Sequence, residues 1–184
     1  MAVLLLSDDA NAASCSDAAQ GRHYLAVNNG KCYILFQDAV NWTDAMATCN
    51  RTSHDGRLAY VEDRTTLYAI YEFLNAVYKP MPDVLGGVPS THVPGVGVWW
   101  IGLLQVETSV EPAGGWAWVN TDDSVNHWST STNTPWHHGS PDGGKSQNCG
   151  ELLRTIYSNW DTFGLDDADC AKSYPFICET STSP

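Results

Sequence analysis

Trp99-Trp100-Ile101-Gly102-Leu103 is the most strand-like run in the chain. Bulky aromatic and β-branched side chains fit a pleated, buried surface, so the run predicts a strand. Downstream, Trp116 and Trp118 stand two residues apart, on one face of a further strand. Cys149 through Leu153 and Tyr174-Pro175-Phe176-Ile177-Cys178 read as the last strands. Upstream, Cys32-Tyr33-Ile34-Leu35-Phe36 follows the turn signal Asn28-Asn29-Gly30. Between these runs the period changes. Trp42, Ala45, Met46 and Cys49 recur at i, i+3, i+4 and i+7, one face of a helix, with Asn41 as its N-cap and Asp44 in its first turn. Asp55-Gly56 ends that helix, and Leu58-Ala59-Tyr60-Val61 reads as a strand. A second helix begins near Asp63 and places Leu67, Ile70, Tyr71 and Leu74 at the same spacing. Both helical stripes are read as packing against a sheet.

The remaining segments are irregular. Residues 80–98 carry four prolines and four glycines, the composition of a long connection. Residues 120–148 crowd Ser, Thr, Asn, Asp, Gly, Pro and His with no clean period. A loop that long calls for a function, a disulfide or a bound ion. Residues 1–20 are small and polar and are expected to be poorly ordered, with residues 1–14 a flexible start or a signal remnant. Residues 1–6 are apolar but lack a basic flank, whereas Ala10-Asn11-Ala12 has the small-x-small form of a cleavage site. Both a clipped signal peptide and an ordinary terminus fit.

Composition limits the function classes. The 184 residues are 43% hydrophobic and 11% aromatic, enough for one sizeable core. Acidic residues outnumber basic ones 21 to 9, for a net charge of −12. Such a chain repels phosphate backbones and anionic bilayers, which argues against nucleic-acid partners. No apolar run reaches the ~18 residues of a membrane span. Six cysteines without a CxxC pair argue for three disulfides over a zinc ribbon, and 15 pairings are open on spacing alone. Disulfides imply an oxidising compartment, so secretion is expected. The triplets Asn41-Trp42-Thr43 and Asn50-Arg51-Thr52 make Asn41 and Asn50 candidate glycosylation sites.

Six pieces in order resemble the C-type lectin-like domain. They are Trp42-x-x-Ala45-x-x-x-Cys49, Gly56-Arg57-Leu58-Ala59, Trp100-Ile101-Gly102-Leu103, Gly115-Trp116-Ala117-Trp118, Cys149-Gly150-Glu151-Leu152 and Phe176-Ile177-Cys178-Glu179. The resemblance covers residues 15–180. It implies an α+β fold, with two helices packed on small antiparallel sheets and a long ligand-binding loop. It also implies the pairs Cys49–Cys178, Cys149–Cys170 and, as the extra bridge of the long form, Cys15–Cys32.

In sugar-binding members of that family, a Glu-Pro-Asn or Gln-Pro-Asp triplet, an acidic residue before the next cysteine and an Asn-Asp pair hold calcium. Calcium is a hard cation that takes six to eight oxygens. Here Ser140-Pro141-Asp142 stands in for the triplet, with Pro141 eight residues before Cys149, whereas Pro135 is 14 before it. A proline at that place can hold a cis bond that aims both flanking side chains into one cavity. The resemblance thus implies a calcium shell of Ser140, Asp142, Gln147, Asp166 and Asp167. Ser140, Gln147 and Asp166 depart from the family pattern, and Leu165 replaces its customary tryptophan. Three carboxylates remain, enough for a weak extracellular site with Kd of about 10⁻⁴–10⁻³ M. The competing reading is a set of solvated loop aspartates on a domain that has lost the metal.

The function implied is calcium-dependent carbohydrate binding, with Asp142, Gln147, Asp166 and His138 contacting the sugar. Asp142 in the third triplet position resembles the galactose-type pattern, so galactose or N-acetylgalactosamine glycans and glycoproteins are the expected partners. One open site binds a monosaccharide weakly, and a homo-oligomer would supply avidity. The alternative is a calcium-independent relative that binds a protein. An enzyme is not expected. His127, His137 and His138 lack an HExxH helix, and Ser140 lacks a G-x-S-x-G turn.

Overall fold

The computed structural model describes residues 9–27, 30–78, 97–106, 111–128, 135–157 and 160–181. Among them are three helices, α1 (Asp9–Ala19), α2 (Trp42–Thr52) and α3 (Arg64–Val77). The strands are β1 (Tyr24–Val27), β2 (Lys31–Val40), β3 (Arg57–Leu58), β4 (Val98–Gln105), β5 (Trp116–Val119), β6 (Val125–His127), β7 (Cys149–Tyr157), β8 (Trp160–Ala168) and β9 (Tyr174–Ser181). They run in the order β1-β2-β9-β4-β5-β6, with β3 on β9, β7 on β4 and β8 on β7. Every pairing is antiparallel except the parallel contact Trp100↔Phe176 between β4 and β9. The fold is the expected α+β arrangement. Because β4 bonds to both β9 and β7, the small sheets of the expectation are joined into one.

Strand β4 divides the core by its two-residue period. Trp99, Ile101 and Leu103 enter one apolar cluster with Leu67, Ile70, Phe73 and Leu74 of α3 and with Trp116 and Trp118. Trp100 enters the other, with Trp42, Ala45 and Cys49 of α2 and with Phe36 and Phe176. Two of the buried indoles join the segments: Trp100 Nε1 donates to Val40 O at 2.9 Å and Trp42 Nε1 to Ile101 O at 2.8 Å. At Gly102 the backbone comes so near β3 that a Cβ would lie 2.7 Å from Leu58 O. Only glycine fits that crossing.

The helix signals hold. Asn41 caps α2 by accepting from Asp44 N, and Asp63 caps α3 by accepting from Thr66 N. In α3 Phe73 occupies the core, whereas Tyr71 is half-buried against Phe163 at 5.3 Å. The strand expected over residues 58–61 is shorter. Only Arg57 and Leu58 pair with β9 as a strand, although Ala59 N still donates to Ile177 O at 2.9 Å.

The start of the chain departs from expectation. Within the stretch expected to be poorly ordered, residues 9–19 form α1, and residues 1–8 lie outside the described residues. Five alanines, the best helix formers, favour the helix, and Ala12, Cys15 and Ala19 bury one face. Most of the irregular 80–98 connection lies outside the described residues.

All three disulfides form as the resemblance implied: Cys15–Cys32, Cys49–Cys178 and Cys149–Cys170, with Cα–Cα distances of 5.5, 5.3 and 5.2 Å. The first pins α1 to β2, the second α2 to β9. The third closes the end of β8 onto the start of β7.

Candidate metal and ligand site

The β7–β8 ladder builds the site. Its register sets Gly150 opposite Asp167 and Glu151 opposite Asp166. The loop before β7 is tied to the same strand. His137 N donates to Leu165 O at 2.7 Å, and Leu165 N donates to Pro135 O at 2.9 Å. Buried Leu165, where the family's customary tryptophan is missing, thus anchors the loop through its backbone. Gly164 lets this approach happen, since a Cβ there would stand 2.6 Å from His137 N. Trp136 packs edge-on to Trp116 at 5.2 Å and belongs to the rim of the core.

Beyond this anchor the Ser140-Pro141 bond is cis. The chain then turns onto Asp167. Asp142 N donates to Asp167 Oδ1 at 2.8 Å and Gly143 N to Asp167 Oδ2 at 2.7 Å. A 3-10 turn over Gly144–Ser146 follows, closed by Gln147 N donating to Gly144 O at 3.1 Å.

Three of the five expected calcium ligands come together. Asp142, Asp166 and Asp167 each offer a carboxylate oxygen, all within 4.8 Å of one another. Asp142 is exposed, Asp166 half-buried and Asp167 buried. Ser140 stands two residues before Asp142, at the cis bond. The Gln147 side chain folds onto Gly143, its Oε1 1.7 Å from where a Cβ on that residue would be. Burial pushes the Asp167 carboxyl up, against the two backbone N–H bonds that hold it down. Three acidic groups at this spacing repel one another and suit a hard divalent cation. The donor set fits calcium.

His138 lies elsewhere. With His137 and Trp136 it lines a cavity of about 360 Å³ on the α3 side of the loop. His137 Nε2 bonds the hydroxyls of Thr155 and Thr162 at 3.0 and 2.9 Å. Asn41 Nδ2, a candidate glycosylation atom, donates to Asp44 Oδ2 at 2.8 Å, and Asn50 Nδ2 donates to Thr121 O at 3.5 Å.

Sequence reasoning missed Glu151, which it quoted only as part of a motif. Burial, then Asp166, pushes its carboxyl up to about 8. Its alternation with Leu152 on a strand that faces Asp166 was the available signal.

Comparison with known proteins agrees with the fold. The family model described as "Lectin C-type domain" matches residues 38–180. C-type mannose receptor 2 of Mus musculus is 29% identical over 149 residues, 80% of this chain and 8% of the receptor, so the chain spans a small part of that relative. A C-type lectin galactose-binding isoform of Hoplocephalus stephensii is 27% identical over 153 residues, 82% of this chain and 77% of that protein. Among solved structures, the C-type lectin domain of murine dendritic cell inhibitory receptor 2 in complex with N-glycan superposes with a TM-score of 0.55 at 15% identity, covering 83% of this chain and 92% of that one.

Proposed function

The chain belongs to the C-type lectin domain family, and from that premise we propose that it binds carbohydrate through calcium held by Asp142, Asp166 and Asp167. The observation that carries this reading is the three-carboxylate cluster beside the cis Ser140-Pro141 bond. Ser140 and Gln147 would add oxygens from the same loop. Bound calcium would supply a Lewis-acidic centre for two adjacent sugar hydroxyls. The chain's own contribution is to fix that centre. Asp167 holds the loop backbone, Asp142 and Asp166 would present their carboxylates from the loop and from β8, and Asp142, Gln147 and Asp166 would accept hydrogen bonds from the sugar. It is a binding domain, not an enzyme.

Asp142 as the third residue of the triplet favours galactose or N-acetylgalactosamine, while His138, expected to contact the sugar, lines a separate cavity. Three disulfides favour an oxidising, extracellular setting. Among the described residues no helix is long and apolar enough to cross a membrane.

Calcium titration tests the metal. At a tenfold excess over Kd, linkage stabilises the fold by ~1.4 kcal/mol, a rise of about 3–6 °C in Tm. A glycan array run with calcium and again with chelator then tests the ligand, with galactose-terminated glycans retained only in calcium. A melt that neither calcium nor chelator moves would overturn the reading in favour of a calcium-independent protein-binding module.

A further inference from the structure

The cavity between α3 and the 136–138 segment plays no part in the site above. Its walls include Tyr68 and Tyr71 of α3, Trp136, His137 and His138 of the loop, and Thr162 and Phe163 of β8. We infer that this cavity is a second carbohydrate subsite, one that binds a neutral pyranose without metal.

Three observations point to that ligand. The rings form an angular wall rather than a stack. Tyr68 and Tyr71 lie 6.0 Å apart at 56°, and Tyr71 and Phe163 lie 5.3 Å apart at 50°. Tyr68 is 67% exposed at one edge, a large apolar surface left facing water. Part of the lining is polar, from His137 and Thr162. The His137 imidazole and the Thr155 and Thr162 hydroxyls form a three-membered network with contacts of 2.6–3.0 Å. Ring faces take the C–H side of a sugar, while hydroxyls and imidazole meet its O–H edge.

Charge is the third observation. Among the described residues no Asp, Glu, Lys or Arg lines the cavity, although the chain carries a net charge of −12. An ionic ligand would find no counter-charge, and a neutral polyol needs none. The volume, about 360 Å³, lies within the ~300–1,000 Å³ of small-molecule sites.

The cavity and the acidic cluster are built on the same two segments, β8 and the loop before β7. Thr162 precedes Asp166 by four residues on β8, roughly 13 Å of strand, and His137 precedes Asp142 by five in the loop. A linear oligosaccharide seated on the cluster reaches the cavity with a later residue. The cavity's own binding does not depend on calcium.

The test uses the full chain with N-acetyllactosamine as probe, titrated by NMR in chelator, where the acidic cluster is silent. Binding is expected to shift the His137 and Trp136 signals. Tyr68→Ala and Thr162→Val, both conservative of the fold, should each weaken it by about tenfold, with Asp142→Ala leaving it unchanged. Retention of this binding alongside failed calcium-dependent binding would overturn the proposed function and leave the subsite standing. The subsite is overturned if the probe shifts no cavity signal in chelator, if neither variant weakens binding, or if an apolar dye fills the cavity and the saccharide cannot displace it.

Discussion

Glu151 and Asp166 stand directly opposite one another across the β7–β8 ladder, two carboxylates on one face of the sheet. Burial, reinforced by Asp166, raises the Glu151 carboxyl to about 8, with Lys172 opposing. Its Oε2 is buried without a hydrogen-bond partner. In metal-free protein at neutral pH, Glu151 is therefore largely protonated.

Stability should consequently fall with rising pH. The unfolded chain releases the Glu151 proton near 4.5, whereas the folded chain keeps it until about 8. The contribution is complete below about 4.5 and is lost as pH climbs through 8, by on the order of a few kcal/mol. Glu151→Gln copies the protonated form and should flatten that decline. Urea melts in chelator at about pH 5 and pH 8 check this. A stability gap between variant and wild type that stays constant with pH would count against it.

Asp167→Asn and Asp142→Asn should separate loop fixation from metal binding. The Asp167 carboxylate accepts two backbone N–H groups, and an amide can accept only on one side. Losing a charged acceptor there should cost about 1.5–3 kcal/mol in chelator. Asp142 contributes its backbone to those bonds, so Asp142→Asn should melt like wild type without calcium. Both variants should lose the calcium-induced rise in Tm. Equal melting of the two variants in chelator would contradict the assignment of the anchor to Asp167.

Gly164→Ala should disturb the loop without touching a side chain of the site. The new Cβ would meet His137 N at 2.6 Å, His137 Cα at 2.8 Å and Pro135 O at 3.0 Å, all backbone atoms. Overpacking of this kind destabilises by ~1–3 kcal/mol. Faster hydrogen exchange at the His137 and Leu165 amides is the expected sign, and unchanged protection would show that the segment yields freely.

The disulfides should differ in reach. Cys49–Cys178 closes a separation of 129 residues and Cys149–Cys170 one of 21. Loop entropy assigns them about 5 and about 3 kcal/mol. Replacing the Cys49–Cys178 pair by serines should lower the whole melt more. Replacing Cys149–Cys170 should weaken calcium binding beyond what the lower Tm explains. Chemical denaturation and calcium titration of both double variants compare them.

Much of this was legible in the residues. Trp100 and Trp42 announced β4 and α2 because bulky apolar side chains at period 2 and period 3.6 leave little choice of face. The order of Cys49, Cys149, Cys170 and Cys178, once matched to a family, identified the bridges. What stayed hidden depended on tertiary proximity. Tyr71 fits the helical stripe as well as Phe73 does, and only the position of Phe163 on β8 decides which ring is half-exposed. Glu151 looks like any strand glutamate until register puts Asp166 across from it. The α1 helix carries no strong apolar stripe, and its small buried face is completed by the Cys15–Cys32 bridge.

The bonds from Asp142 and Gly143 to Asp167 also bear on what happens when the ion departs. A loop that is cinched to its strand by carboxylate and disulfide alike is held by bonds of the chain's own. Chelation should then leave a contour still pre-shaped for its ligand but stripped of its attractive centre, able to switch back on at the speed of ion arrival rather than of refolding.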